Sequence, residues 1–250
     1  MSSSQLATHK NHPTINLDDI HLSEENRAKI NQLIEEFEYL EAIKSFNLPV
    51  DNKILLHGST GCGKTATAHA IAKRLNKKII TLHLGGFVSS RLGETAKNIT
   101  AIFREARLEN AVLFIDEFDF VGRSRDDSDK DSGEMRRLVN ALLQQIDALD
   151  KNTILIGATN YLEAIDTALL RRFQLKLSYE SPTKDQLDTY YNSLFTAYPS
   201  EFLDFDRKYN ISYAEAKDYT FQNIKKNIIK KAKQKNNLHQ KDHSQNIKNL

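Results

Sequence analysis

The stretch Gly58-Ser59-Thr60-Gly61-Cys62-Gly63-Lys64-Thr65 constrains this 250-residue chain more than any other. Its spacing is G-x-x-x-x-G-K-[ST]. It stands between an apolar run, Lys53–His57, and a helix-forming segment, Lys64–Leu75. Strand, glycine-rich turn and helix in that order build a cradle for phosphate. The glycines let the backbone wrap until several N–H groups point into one concavity. The helix beginning near Lys64 adds the positive end of its dipole. Lys64 is expected to reach the β- and γ-phosphates of ATP, and Thr65 to offer its hydroxyl to Mg2+. Gly58, Ser59, Thr60, Gly61, Cys62, Gly63 and Ala66 complete the expected nucleotide-contacting set. Cys62 is the one cysteine of the chain, and at this place it needs only to be small. An internal disulfide is excluded, which points to a reducing, cytoplasmic setting.

Apolar runs alternate with helical patterns on both sides of this loop. The spacing predicts strands over Lys53–His57, Ile79–His83, Val112–Asp116, Ile154–Ala158 and Gln174–Ser178. Helices are predicted over Lys64–Leu75, Ala96–Leu108 and Gly133–Leu149. An earlier helical pattern runs from Ile15 to Phe46, with Ile30, Leu33, Ile34, Phe37, Leu40 and Ile43 at three- and four-residue steps. Several strands are apolar without alternation, as when both faces of a parallel sheet are covered. The expected fold is α/β: a P-loop NTPase, with a three-layer parallel sheet of about five strands and helices on both faces. After Pro182 no strand signal appears, and helices are predicted over Lys184–Tyr198 and Tyr213–Lys233. The expected organisation is a disordered tail over 1–12, an α/β domain over 13–180, a small helical domain over 181–233 and a basic polar tail over 234–250.

Charge is unevenly spread. Eight lysines and one aspartate between Lys225 and Leu250 give a local +7 against an overall +2, so the rest of the chain is net −5. A lysine-rich end reads first as a solvated tail and second as a contact for nucleic acid or another partner. The N-terminal residues lack the apolar core of a secretory signal, and no apolar run approaches the ~20 residues of a membrane span.

The second chemical feature is Ala-Val-Leu-Phe-Ile-Asp-Glu-Phe-Asp over 111–119, an apolar strand ending in adjacent carboxylates. Ligands of parallel sheets sit beyond the carboxyl ends of the strands. Asp116 is expected there to hold Mg2+, directly or through water, and Glu117 to position and deprotonate an attacking water. Residue types alone are also compatible with an exposed acidic turn.

With these motifs in place, the sequence resembles the AAA family of ATPases over about residues 15–180. The carrying segments are "LDDIHL" (17–22), "NLPVDNKILLHGSTGCGKT" (47–65), "LGETAKNITAIFREAR" (92–107), "DEFDFVGRSRD…MRRLVNALLQQIDAL" (116–149), "ILIGATN" (154–160) and "AIDTALLRRFQLKL" (164–177). The resemblance implies that Asp19 and Ile20 lie against adenine and that Asn160 polarises the lytic water. It also implies that Arg171 and Arg172 stand where the family has arginine fingers. A finger presented by a neighbouring subunit stabilises charge on the transferring phosphoryl oxygens. The implied assembly is a homo-oligomer, a hexameric ring with shared active sites, that hydrolyses ATP to remodel a protein substrate. The helical domain corresponds loosely to the family's lid. Two readings stay beside this one: an ATP-driven regulatory switch for a partner enzyme such as a protease or defence effector, and a nucleic-acid-associated relative. By residue type, Asn160 also suits a helix cap and the arginines a solvated pair. Two places differ from the family pattern. Arg91 stands where threading members carry a pore aromatic, with Phe87 four residues earlier, and the two arginines are adjacent where the family often separates them by Pro-Gly.

Overall fold

Strands of one sheet form from the apolar runs of the first 180 residues. In the computed structural model, which describes residues 7–10, 14–84, 92–123 and 129–246, the chain divides into two units, 1–180 and 181–250. The first holds strands β1 (Ala7–Lys10), β2 (Lys53–Gly58), β3 (Ile79–His83), β4 (Val112–Asp116), β5 (Ile154–Thr159) and β6 (Leu175–Tyr179). Its helices are α1 (Glu24–Glu38), α2 (Leu40–Ser45), α3 (Lys64–Arg74), α4 (Leu92–Leu108), α5 (Phe120–Arg123), α6 (Asp129–Asp147) and α7 (Thr167–Leu170). The strand order is β1-β3-β4-β5-β2-β6, and the five strands from β3 to β6 in that order run parallel.

Successive strand residues face opposite layers, so a fully apolar strand fills two cores at once. Leu55, Leu113, Ile115 and Leu155 pack with Ile99, Ile102 and Phe103 of α4 and Leu142 and Ile146 of α6. Ile54, Leu56, Phe114, Ile154 and Ile156 pack with Ile30, Leu33 and Ile34 of α1 and Ala68 and Ile71 of α3. This is the three-layer arrangement that the unalternating strands require. All the parallel strands end on one edge, where their connecting loops gather.

One expectation changes at the N-terminus. Residues 1–12 read as a loose polar tail, yet Ala7–Lys10 forms β1, antiparallel to β3, with Ala7 opposite Leu82 and Lys10 opposite Ile79. An edge strand is recruited through backbone donors and acceptors, and so needs no apolar signature.

The second unit holds α8 (Lys184–Phe195) and α9 (Tyr213–Asn246). Thr183 and Gln186 cap α8 reciprocally: Gln186 N donates to Thr183 Oγ1 at 3.3 Å and Thr183 N to Gln186 Oε1 at 2.8 Å. Leu187, Tyr191 and Ala216 are buried, with Tyr190, Phe195, Tyr209, Ile211 and Tyr213 packed on them. The Arg207 guanidinium lies 5.7 Å and 5.4 Å from the ring centres of Tyr191 and Phe195. The expected break at 233/234 is absent. α9 continues to Asn246, through a segment without glycine or proline that nothing in the chain forces to stop. No helix among the described residues is long and apolar enough to cross a membrane.

Candidate functional site

β2 delivers the chain into the glycine loop, and the backbone there turns left-handed three times: φ is 118° at Gly58, 73° at Gly61 and 100° at Gly63. Gly58 is required for a second reason, since a Cβ on it would sit 2.2 Å from the carbonyl oxygen of Tyr179. The same carbonyl accepts from Ser59 N at 2.7 Å, fastening the loop to the end of β6. Gly63 caps α3, and Thr67 N donates to its carbonyl at 2.8 Å. Helix geometry leaves the N–H groups of Lys64, Thr65 and Ala66 without helical acceptors and aimed back at the loop.

Lys64 is buried, and its Nζ donates to Gly58 O at 2.7 Å and Ser59 O at 2.8 Å. Burial lowers its pKa, opposed by Cys62, Asp116 and Asp119. Cys62 is buried in the sheet–α3 core, with Sγ 3.6 Å from Thr60 O, which suits a small filler. Behind the loop, Tyr179 Oη donates to Thr67 Oγ1 at 2.8 Å, and burial pushes the Tyr179 phenol up to about 12. Ile20 is buried too, its Cγ2 3.4 Å from where a Cβ on Gly63 would stand. The structure thus brings Ile20 to the loop. The Asp19 carboxylate is exposed and accepts from Asn16 N at 3.3 Å and Asn16 Nδ2 at 3.0 Å.

On the same edge of the sheet, β4 ends at Asp116 and β5 at Thr159. Asp116 is half-buried, and its Oδ1 accepts from Glu117 N at 3.0 Å. Glu117 is exposed and holds a left-handed φ of 53°, a conformation that side chains other than glycine rarely adopt. Three further bonds hold this turn. Phe118 N donates to Ala158 O at 2.8 Å, Phe120 N to Glu117 O at 2.9 Å, and Thr159 Oγ1 to the buried Asp119 Oδ1 at 2.9 Å. Asp119 Oδ1 also receives Asn160 N at 3.4 Å, and Thr159 Oγ1 receives Tyr161 N at 2.9 Å. Asn160 itself is exposed. The cap of the following 3-10 turn, Leu162–Ala164, is Tyr161 with no side-chain bond, so Asn160 does not cap that turn. Asp119 and Thr159 are functional candidates that sequence reasoning missed. The available signal was the second acid of Asp-Glu-Phe-Asp and the hydroxyl just before Asn160.

The arginine pair is not brought to this edge. Gln174 N donates to Lys53 O at 3.1 Å, so the segment after Arg172 meets the start of β2, a strand length from the loop that follows its end. For a strand of six residues that is roughly 20 Å. The two arginines also differ from each other. Arg172 binds Asp147 in a fork, Nε to Oδ1 and Nη2 to Oδ2, both at 3.1 Å, and its Nη1 donates to Ala168 O at 3.0 Å. That fork holds the Asp147 carboxyl below its ordinary pKa. Arg171 is the exposed residue ending α7. Arg91 and Phe87 lie outside the described residues.

Comparison with known proteins agrees with this geometry. Residues 54–181 match the family described as "ATPase family associated with various cellular activities (AAA)". The chain is 37% identical over 228 residues to an uncharacterised AAA family ATPase of Sinorhizobium fredii, covering 89% of this chain and 68% of that protein. It is 34% identical over 171 residues to the 26S proteasome regulatory subunit 8 homologue of Schizosaccharomyces pombe, covering 65% of this chain and 42% of that one. Among solved structures, the FIGL-1 AAA domain in complex with ADP superposes with a TM-score of 0.62 at 25% identity, over 78% of this chain and 64% of that chain. The family match spans half of the chain and the Sinorhizobium relative covers most of it, and both carry one conclusion: the chain belongs to the AAA family of ATPases.

Proposed function

We propose that this chain binds ATP at residues 58–66 and hydrolyses it as one subunit of a homo-oligomer, most simply a six-membered ring, to remodel a protein partner. One observation carries the reading. Lys64, Asp116, Glu117 and Asn160 gather at the carboxyl edge of the sheet, while Arg171 stands a strand length away from its own loop. An arginine so remote from its own loop can assist hydrolysis only in a neighbour's site.

The roles follow from chemistry. Main-chain N–H groups of the loop and of the first turn of α3 bind the phosphates. Lys64 can exchange its two carbonyl partners for phosphate oxygens. Thr65 and Asp116 offer a hydroxyl and a carboxylate, the hard oxygen donors that suit Mg2+, which keeps waters and phosphate oxygens as its other ligands. When bound, Mg2+ supplies positive charge beside the β- and γ-phosphates. Glu117 accepts the proton of the attacking water, and Asn160 orients that water without adding charge. Ile20 gives the base an apolar wall, and the exposed Asp19 borders it. Arg171 acts across the subunit boundary, and Arg172, anchored on Asp147, fixes the turn that presents it. Remodelling of a protein is the activity that the proteasomal relative's name supports. That relative is much longer than this chain, so its partners are its own.

Mixing experiments test the shared site. Lys64→Ala should lose nucleotide binding. Arg171→Ala should bind ATP normally and turn over roughly 10³-fold more slowly. Equimolar mixtures of the two variants should recover part of the wild-type rate, because each supplies what the other lacks. Absence of recovery at every ratio would remove the shared site.

A further inference from the structure

Resting on that reading, we infer that Asp119 and Thr159 are positioning residues: they form a hydrogen-bonded crosspiece that sets the separation of Glu117 from Asn160, and hence the geometry of the attacking water.

The first ground is the burial of Asp119. It is 3% exposed, and a buried carboxylate is costly unless its oxygens are bonded. Main-chain and ring contacts hold the turn beside it. Phe118 N is already bonded to Ala158 O, and the Phe118 ring packs edge-on to Phe173 at 5.4 Å. What the carboxylate adds is aimed at the end of β5, where its Oδ1 receives the Thr159 hydroxyl and Asn160 N.

The second ground is where the chain of bonds ends. Thr159 Oγ1 donates to Asp119 and at the same time accepts from Tyr161 N. Bonds at 159, 160 and 161 therefore fix the main chain on both sides of the exposed Asn160 side chain. At the other end Asp119 lies two residues beyond Glu117, whose left-handed backbone requires surroundings that hold it. The hydrogen bonds thus join the two groups assigned to the water and pass through neither the glycine loop nor Lys64, which Asp119 reaches only as a charge that Thr159→Val leaves in place. Their loss should disturb water attack and spare nucleotide affinity. Displacements of about 1 Å in such groups change rates by up to roughly 100-fold.

The test uses Thr159→Val, which keeps the shape and removes the hydroxyl, Thr159→Ser, which restores it, and Asp119→Asn, which keeps the volume and removes the charge. Steady-state turnover and the affinity for a fluorescent ATP analogue are measured on the full chain, with thermal melting of each variant. Thr159→Val should turn over roughly 10- to 100-fold more slowly, with affinity unchanged within about twofold, and Thr159→Ser should return close to wild type. On an Asn160→Ala background, Thr159→Val should cause little further loss, because its effect passes through Asn160. The inference is overturned if Thr159→Val keeps the wild-type rate, if rate and affinity fall together, or if the two losses multiply. Should Thr159→Val fail to melt cooperatively, Asp119→Asn carries the same comparison with the same opposing outcomes. Wild-type protein that binds ATP but never hydrolyses it would instead sink the functional reading itself, so the two failures are separable.

Discussion

Two strands of this molecule end in left-handed turns, and they achieve them by opposite means. After β2 the turn is built of glycines at 58, 61 and 63, for which positive φ carries no steric penalty. After β4 the turn places a glutamate, Glu117, at φ 53° and holds it with bonds from Ala158, Thr159 and Asn160. The first loop turns without strain, though Tyr179 fastens it to β6, and it acts mainly through its backbone. The second must carry a side chain, so glycine is unavailable, and the surrounding structure has to enforce the geometry. The conformation of a binding loop can therefore be written in its own residues, whereas that of a water-activating turn is imposed by its neighbours.

Substitutions at the two turns should separate these modes. The largest effect belongs to Glu117→Gln. Turnover should fall roughly 10²- to 10⁴-fold, the range of a general base, with ATP affinity retained; near-wild-type turnover would show that Glu117 is not the base. Next is Gly58→Ala. Its methyl group would lie 2.2 Å from Tyr179 O, a backbone atom that cannot swing aside. Stability should drop by about 3 kcal/mol, the upper range for overpacking, and nucleotide binding with it. Melting curves and nucleotide titration check both. Glu117→Gly compared with Glu117→Ala isolates the strain. Both remove the carboxylate and should be equally inactive, but the glycine variant should be the more stable by about 1 kcal/mol. Equal melting temperatures would mean that the bonds to β5 impose no strain.

The smallest effect concerns the residue that feeds the glycine loop. Burial, and then Lys176, lower the pKa of His57 from 6.5, with Lys64 contributing less and Glu163 opposing. Below pH 6.5 the unfolded chain therefore takes up this proton more readily than the folded one, and stability falls as the solution is acidified. The loss in melting temperature between pH 7.5 and 5.5 should shrink in His57→Asn. An unchanged loss would assign the acid sensitivity elsewhere, His21 being another histidine held low by burial.

The same contrast explains what the sequence revealed. The glycine loop is legible because its geometry is written in consecutive residues, and the strands are legible because burial on both faces leaves unbroken apolar runs. Asp116 and Glu117 were readable as the end of such a run. The Asp119–Thr159 bond was not, because its partners are forty positions apart and each residue type is ordinary by itself. Nor does the sequence divide the arginine pair. Arg171 and Arg172 are chemically identical until Asp147, on a different helix, captures one of them. β1 escaped notice because edge pairing uses only the main chain, and α9 outran its expected end because nothing in 234–246 interrupts a helix already under way.

Tyr179 Oη, bonded to Thr67, and Tyr179 O, bonded to Ser59 N, tie the last residue of β6 to the start of the glycine loop and to the first turn of the helix that follows it. The chain passes into its second unit two residues later, at Ser181. A substitution that displaced Tyr179 would therefore reach the phosphate cradle from two sides at once, although the residue lies more than a hundred positions from the motif.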